Sequence, residues 1–416
     1  MRNSGLPPRA KPSTRSVAAR RTAHIETPGV ATRLTAEEEQ AALRVLREGP
    51  TWATGPQADA FEREFNAFIG ARGALAVNSC TSALELAAVL SGLRPEHEVI
   101  LPAHTFVASA VPFARTGAHV RWADIDPASG VLSAATIEPL LTKRTRVVVV
   151  VHLFGLPVDL DPIMELAEQH GFLVVEDCAQ APGARYNGRR VGSMGHFGCF
   201  SFHSSKIIST LGEGGMLTTR DPEDAVRARR LRWMGIWPFP ADRAHYWLPA
   251  TSNVVEPIPG CWPFNYCIGE PSCAVGRLLL RRLDSINERR REMARRFIAA
   301  LSAYPELTFQ RCAPSCEHVY SILSAQYDGS RHGTSRDELI DRLHNAYRLK
   351  CTVQYWPLHR TELFQKLGPA EARVPATDCY YERAVSFPWA SEFSDALIDE
   401  MARRVRACLD ELRAGR

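Results

Sequence analysis

Lysine is scarce in this chain. Of 416 residues, 50 are Lys or Arg, and the only lysines are Lys11, Lys143, Lys206, Lys350 and Lys366. Arginine cannot lose its proton in a protein, whereas a buried lysine can become a neutral amine nucleophile. A lysine retained inside a Gly-rich stretch of an arginine-using chain therefore points to chemistry. Long apolar runs are also missing. The longest aliphatic run, Val147–Val151, is flanked by Arg146 and His152, and a membrane span needs about 20 apolar residues. The eleven cysteines contain no C-x-x-C pair. Cys312 and Cys316 are four apart, with no second pair to complete a zinc site. They read as reduced thiols of a cytoplasmic protein. The thirteen histidines form no H-x-x-x-H or H-x-H pair, which disfavours a metal hydrolase, and no G-x-G-x-x-G is present to suggest a dinucleotide-dependent oxidoreductase.

Charge excludes a further class. The net charge is +4, from 50 basic and 46 acidic residues, with no concentrated basic face of the kind nucleic acid requires. The exception is the start of the chain, where Arg2, Arg9, Lys11, Arg15, Arg20 and Arg21 occur without an acid and with Pro7, Pro8 and Pro12. That composition predicts a disordered basic tail over residues 1–28. No apolar stretch follows these arginines, so it does not read as a secretory signal.

Beyond the tail, Thr35 and Glu38 form a capping-box pattern that opens a helix, and Phe61, Phe65 and Phe68 recur at helical spacing. Seven short strand candidates follow: 74–77, 98–101, 120–123, 147–152, 173–177, 199–202 and 215–218. Helix-like segments at 82–93, 106–116, 133–141 and 160–171 alternate with them. This pattern predicts an α/β large domain over 29–275, built on a mostly parallel seven-stranded sheet covered on both faces. A long Arg-studded helix over 276–304 leads into a small C-terminal α+β domain, 276–416. Its strands are expected at 322–327 and 351–355 and its helices at 336–345 and 394–412. Late in the large domain, between Gly235 and Pro263, lies a stretch rich in aromatics, with Trp237, Phe239, Tyr246, Trp247 and Trp262, and Phe264 beside it. It reads as a packed surface loop or as one that faces substrate or a second subunit.

Three strand ends carry chemistry, since open α/β sheets bind ligands beyond the carboxyl ends of their strands. Asn78-Ser79-Cys80-Thr81-Ser82 opens a helix and reads as an ordinary N-cap or as an anion cup made of free N–H groups and the Thr81 and Ser82 hydroxyls. Glu176-Asp177 closes an apolar strand. An acid there can bind a metal, accept a proton, hold a cationic ring nitrogen, or simply make a cap or a buried ion pair. Ser201-Phe202-His203-Ser204-Ser205-Lys206, followed by Gly212-Glu213-Gly214-Gly215, places a lysine in a turn after a strand, either as a buried reactive amine or as a surface residue. Together the three make sense as one pyridoxal phosphate site: a phosphate cup, an Asp beside the pyridinium, and a Lys forming a Schiff base.

In these motifs, with Phe61-Glu62, Glu98–Pro102, Thr105-Phe106, His152–Gly155, Asn265-Tyr266 and Pro357-Leu358-His359, the chain resembles the DegT-type sugar aminotransferases of PLP fold type I over residues 29–412. The resemblance implies pyridoxal 5'-phosphate as cofactor. It implies Lys206 as the Schiff-base lysine and proton shuttle, Asp177 as partner of the ring nitrogen, Gln180 near the ring hydroxyl and Phe106 stacked on the ring. Thr81, Ser82 and Ser201 match the phosphate cup. Asn265 matches a residue reaching the phosphate of a partner subunit, which implies a homodimer with shared active sites. Cys80, Ile207 and Cys267 depart from the family's usual Gly, Asn and Arg. His203 is a structural residue or a second acid/base. The expected reaction moves an amino group from glutamate or glutamine to a keto-sugar, usually nucleotide-linked. The alternative is a cyclitol (inosose-type) aminotransferase or an aminohydroxybenzoate synthase. No nucleic-acid or membrane partner is expected.

Overall fold

In a computed structural model, the protein is described at residues 24–237, 245, 247–368 and 372–415. The basic stretch 1–23, Phe239 and Tyr246 lie outside the described residues. Within the expected tail, residues 24–28 are structured: Ile25 is buried and bridges to Leu349.

Seven strands form the central sheet: β1 (Gly73–Val77), β2 (Glu98–Pro102), β3 (His119–Ala123), β4 (Thr145–Val151), β5 (Leu173–Asp177), β6 (Phe197–Ser201) and β7 (Gly215–Thr219). Their order is β1-β7-β6-β5-β4-β2-β3. Four of the pairings are parallel, and β7 alone runs against its neighbours β1 and β6. The mostly parallel sheet expected from the alternating pattern is therefore observed. The reversal of β7 has a consequence for chemistry. It starts where the other strands end, with Gly215 paired to Val77 and to Ser201, so it feeds the same edge. The continuous valine run of β4 is buried on both sides, as a central parallel strand requires.

Helices cover both faces. The predicted capping box is present: Thr35 Oγ accepts from Glu38 N–H and Glu38 accepts from Thr35 N–H, opening α1 (Ala36–Glu48). In α2 (Pro56–Ile69), Phe61 and Phe65 are buried against Phe200 and Phe202 of the sheet. Helix α3 (Cys80–Leu90) follows β1 directly, with Ser79 as its N-cap. The expected helix 106–116 is instead a short 3-10 turn (Val107–Ser109) and a single α-turn (Val111–Ala114), interrupted around Pro112. The expected 133–141 helix is similarly split before Pro139.

The long helix expected over 276–304 is two: α4 (Glu270–Arg281) and α5 (Leu283–Ala300). The break falls at Arg282, whose guanidinium leaves the helical line to bind Glu38 and the carbonyl of Arg33. Beyond it, strands β8 (Leu307–Phe309), β9 (Leu323–Tyr327) and β10 (Ala384–Phe387) form an antiparallel sheet. That sheet packs with α5 and α6 (Asp395–Arg413) around Phe297, Leu323, Val405 and Leu409. The strand expected at 351–355 does not form. Only Thr352 pairs, with Ser386, and the segment instead turns toward the large domain, where Tyr355 N–H donates to His104 Nε2.

Candidate active site

The carboxyl edge of the sheet opens into a cavity of about 470 Å³, within the usual range for small-molecule sites. Residues from distant parts of the chain meet there. The turn after β1 supplies Ser79, Cys80 and Thr81, the segment after β2 supplies Thr105, Phe106 and Ser109, and the end of β5 supplies Asp177 and Gln180. The end of β6 and its loop supply Ser201, His203 and Lys206.

Asp177 is buried. One carboxylate oxygen accepts from Ser109 Oγ at 2.7 Å and the other from Ala179 N–H at 3.0 Å. Ser109 is in turn held by Thr105 at 2.8 Å. Lys206 is partly buried; its backbone N–H donates to the His203 carbonyl at 2.8 Å, and among the described residues its side-chain amine forms no hydrogen bond or ion pair. Burial pushes its ammonium below the ordinary value, against the opposing pull of Asp177 and Cys80. The amine is thereby biased toward its neutral, nucleophilic form.

Gln180 is fixed at both ends of its amide. Its oxygen accepts from Phe154 N–H at 2.6 Å, and its nitrogen donates to Tyr355 Oη at 2.8 Å. Phe154 has a φ of +60°, a backbone conformation rare for a bulky residue. Phe106 is half exposed, with Tyr355 5.9 Å away between ring centroids.

The first-turn N–H groups of α3 have no acceptor within the helix. Gly215 lies against this turn. A Cβ added there would come within 2.5 Å of the Ser79 carbonyl and 2.7 Å of Cys80 N. Only glycine lets β7 approach so closely and hold the turn in place.

Six of the eight expected site residues therefore line one cavity: Thr81, Phe106, Asp177, Gln180, Ser201 and Lys206. Ser82 does not line it. Its hydroxyl donates to Asn78 at 2.6 Å and its N–H is taken by Ser79, so it serves the cap beneath the cavity floor. Asn265 is exposed and outside the cavity, bridging to Trp233. No described residue of the aromatic stretch lines the cavity either. Trp247 and Trp262 are exposed, and Trp237 stacks under the Arg230 guanidinium. Glu176, the neighbour of Asp177, points away into the core. It is held by His152 and by the N–H groups of Gly192, Met194 and Gly195.

Sequence reasoning did not find Ser109 or the opposite wall, made by Thr27, Ser321, Thr352, Gln354, Ser386 and Trp389. Ser109 carried a local signal, one helical turn beyond Thr105. The wall residues come from four separate segments, around 27, 321, 352–354 and 386–389, with no common spacing between them.

Residues 33–406 match the family model of the DegT/DnrJ/EryC1/StrS aminotransferases. The chain belongs to this family. It is accordingly an aminotransferase with the fold of these enzymes. Spore coat polysaccharide biosynthesis protein SpsC of Bacillus subtilis (strain 168) is 35% identical over 376 residues, 89% of this chain and 94% of that protein. The dTDP-3-amino-3,4,6-trideoxy-alpha-D-glucose transaminase of Streptomyces venezuelae is 33% identical, over 85% of this chain and 87% of that one. Among solved structures, the aminotransferase TlmJ from Streptoalloteichus hindustanus superposes with a TM-score of 0.82 at 31% identity, covering 93% of this chain and 99% of TlmJ. Among the described residues no helix is long and apolar enough to cross a membrane.

Proposed function

We propose that this aminotransferase uses pyridoxal 5'-phosphate to move an amino group from glutamate or glutamine to a keto-sugar, nucleotide-linked as in the Streptomyces relative. The observation that carries the reading is the convergence on one cavity of a buried carboxylate, Asp177, and a lysine, Lys206, whose amine burial drives toward neutrality. The donor set suits the cofactor. Thr81, Ser201 and the open first turn of α3 offer hydroxyls and N–H groups to a phosphate, and the approach of Gly215 keeps that turn fixed. Asp177 would hold a proton on the ring nitrogen, Gln180 would face the ring hydroxyl, and Phe106 would offer its exposed ring as a stacking surface.

When bound, the cofactor supplies a carbonyl that accepts the amino group and an electron-poor ring that stabilises negative charge at the substrate carbon. The chain's own part is proton management. Lys206 Nζ, neutral when it acts, takes the proton from the donor's α-carbon and returns one to the acceptor carbon. Ser109 and the Ala179 N–H keep Asp177 oriented toward the cavity. The opposite wall, with Ser321, Thr352, Gln354 and Ser386, presents hydroxyl and amide groups of the kind a polyhydroxylated acceptor engages. Asn265, exposed beside the aromatic stretch, would complete the phosphate site of a second copy, so the working form is a homodimer.

The test is the visible absorption spectrum of the purified protein with added pyridoxal phosphate, before and after L-glutamate or L-glutamine. A yellow band that bleaches with one donor supports the reading and names that donor. The absence of any band would overturn it.

A further inference from the structure

The segment just before α1 is stitched to both domains beside the site. Ala31 N–H donates to the Ser204 carbonyl at 3.1 Å, and the Ala31 carbonyl accepts from Ser391 N–H at 3.2 Å. Thr32 is buried. Its Oγ donates to the Ile207 carbonyl at 2.7 Å and lies 3.1 Å from Ser391 Oγ. Arg33 N–H donates to Glu392 at 2.5 Å. Residues 204 and 207 flank Lys206, and residues 391 and 392 follow the cavity wall at Trp389.

Behind Ser391 stands Arg290, fully buried and contacting no carboxylate within 4 Å among the described residues. Its Nε–H donates to Ser391 Oγ at 2.9 Å, and its Nη1 donates to the carbonyl of Tyr320 at 3.0 Å. Trp389 Nε1 donates to that same carbonyl at 2.7 Å. Ser321 and Trp389 line the cavity.

The donor directions follow from chemistry. A guanidinium only donates, so Ser391 Oγ must accept from Arg290. Thr32 spends its one proton on the Ile207 carbonyl, so Ser391 must spend its own on Thr32 Oγ. The result is a one-way chain from a fixed cation, Arg290 to Ser391 to Thr32 to the carbonyl next to Lys206. Each bond polarises the next in a low-dielectric setting. The same guanidinium holds the opposite wall through Tyr320.

We infer that Thr32 is a positioning residue for the lysine-bearing loop, and that Arg290 sets the loop and the opposite cavity wall in register through it. The inference rests on the reading of Lys206 as the reacting amine. Thr32 and Arg290 touch neither cofactor nor substrate. Their effect is on where Lys206 Nζ stands when it moves a proton, so it falls on kcat rather than on acceptor binding.

The experiment compares full-length wild type with Thr32→Val, Thr32→Ser and Ser391→Ala, loaded with pyridoxal phosphate. Two properties are measured: steady-state kinetics as a function of pH, and hydrogen–deuterium exchange over residues 203–210. Thr32→Val keeps the shape and removes the donor. The expected result is a roughly tenfold fall in kcat, the scale of one lost hydrogen bond, with the acceptor KM within about twofold of wild type. Exchange over 203–210 should rise, and the acidic limb of the kcat profile should shift. Thr32→Ser restores wild-type behaviour, and Ser391→Ala, which leaves the last link intact, falls between.

A Thr32→Val enzyme with wild-type kcat and exchange overturns the inference, as does a rise in KM alone. If Thr32→Val exchanges faster throughout the sheet, its fold is compromised and Ser391→Ala decides by the same criteria. Turnover surviving in Lys206→Ala would overturn the role of Lys206 instead, and exchange over 203–210 would still judge the relay.

Discussion

Replacing Glu176 with glutamine should destabilise the protein well beyond what a one-atom change suggests. Glu176 is fully buried, and both of its oxygens are engaged. Oε1 accepts from Met194 N–H at 2.9 Å and Gly195 N–H at 2.6 Å, and Oε2 accepts from Gly192 N–H at 2.7 Å and faces His152 Nε2 at 3.1 Å. The tautomer of His152 is fixed by its other nitrogen, which accepts from Val158 N–H at 3.0 Å. Nε2 therefore carries a proton, and all four partners are donors. Glutamine has one oxygen and one NH2 group. With its oxygen at the Oε1 position, the NH2 faces the Gly192 N–H and the His152 N–H. The reverse placement sets it against two backbone N–H groups. Two donors lose a charged acceptor either way, at about 1.5–3 kcal/mol each, so the loss is about 3–6 kcal/mol.

A chain of this length gains roughly 0.9 kcal/mol/K of entropy on unfolding, so the melting temperature should fall by about 3–7 °C. Differential scanning calorimetry with bound and free cofactor would measure it. The sign with pH is also determined. Burial alone would raise the carboxyl, but the His152 hydrogen bond and the Gly192 and Gly195 N–H groups outweigh it and hold it below its ordinary 4.5. The contribution of Glu176 is then complete above that ordinary value and is lost as pH falls through the depressed one. The wild-type advantage over Glu176→Gln should therefore shrink in acid. Equal melting temperatures at neutral pH, or an advantage that grows on acidification, would refute the account.

Lys206→Ala should abolish transamination while leaving the circular dichroism spectrum and melting temperature near wild type, and retained turnover would count against the lysine. Asp177→Asn should keep cofactor affinity within an order of magnitude but lose most of kcat, measured under saturating pyridoxal phosphate. Gly215→Ala, whose new methyl would collide with the backbone of Ser79 and Cys80, should weaken cofactor binding more than tenfold by equilibrium titration. Affinity equal to wild type would show that the turn can yield without harm.

Much of this arrangement was legible in the sequence because the physical signals are local. The valine run of β4 and the capping box at Thr35 are such signals, and the strand ends at Asp177 and Ser201 fall where the alternation of strand and helix places them. Lys206 stood out against the arginine background. The missed features are those that depend on distant partners. The helix break at Arg282 coincides with contacts to distant partners, Glu38 and the Arg33 carbonyl, that lie far away in the sequence. The segment 351–355 has the β-branched look of a strand, but its only bridge is Thr352 to Ser386, and Tyr355 is drawn to His104 and Gln180. Ser82 carries the right side chain for an anion cup, and only the geometry of Ser79 and Asn78 shows that its hydroxyl is already committed. The Thr32 relay joins positions near the two ends of the chain, a pairing that composition and spacing cannot express.

The reversed strand β7 also bears on how the chain is made. Synthesis proceeds at about 5–20 residues per second, and domains tend to fold as their residues emerge. Strand β1 has a single neighbour in the sheet, and that neighbour is β7, with Gly73 opposite Thr219. The turn after β1 thus waits, unpaired, until the chain beyond Lys206 has left the ribosome. Thr32 waits longer still, for Ser391. A nascent chain holds the pieces of the site long before it holds the site, and the cavity is complete only once the wall at Ser386 and Trp389 has arrived.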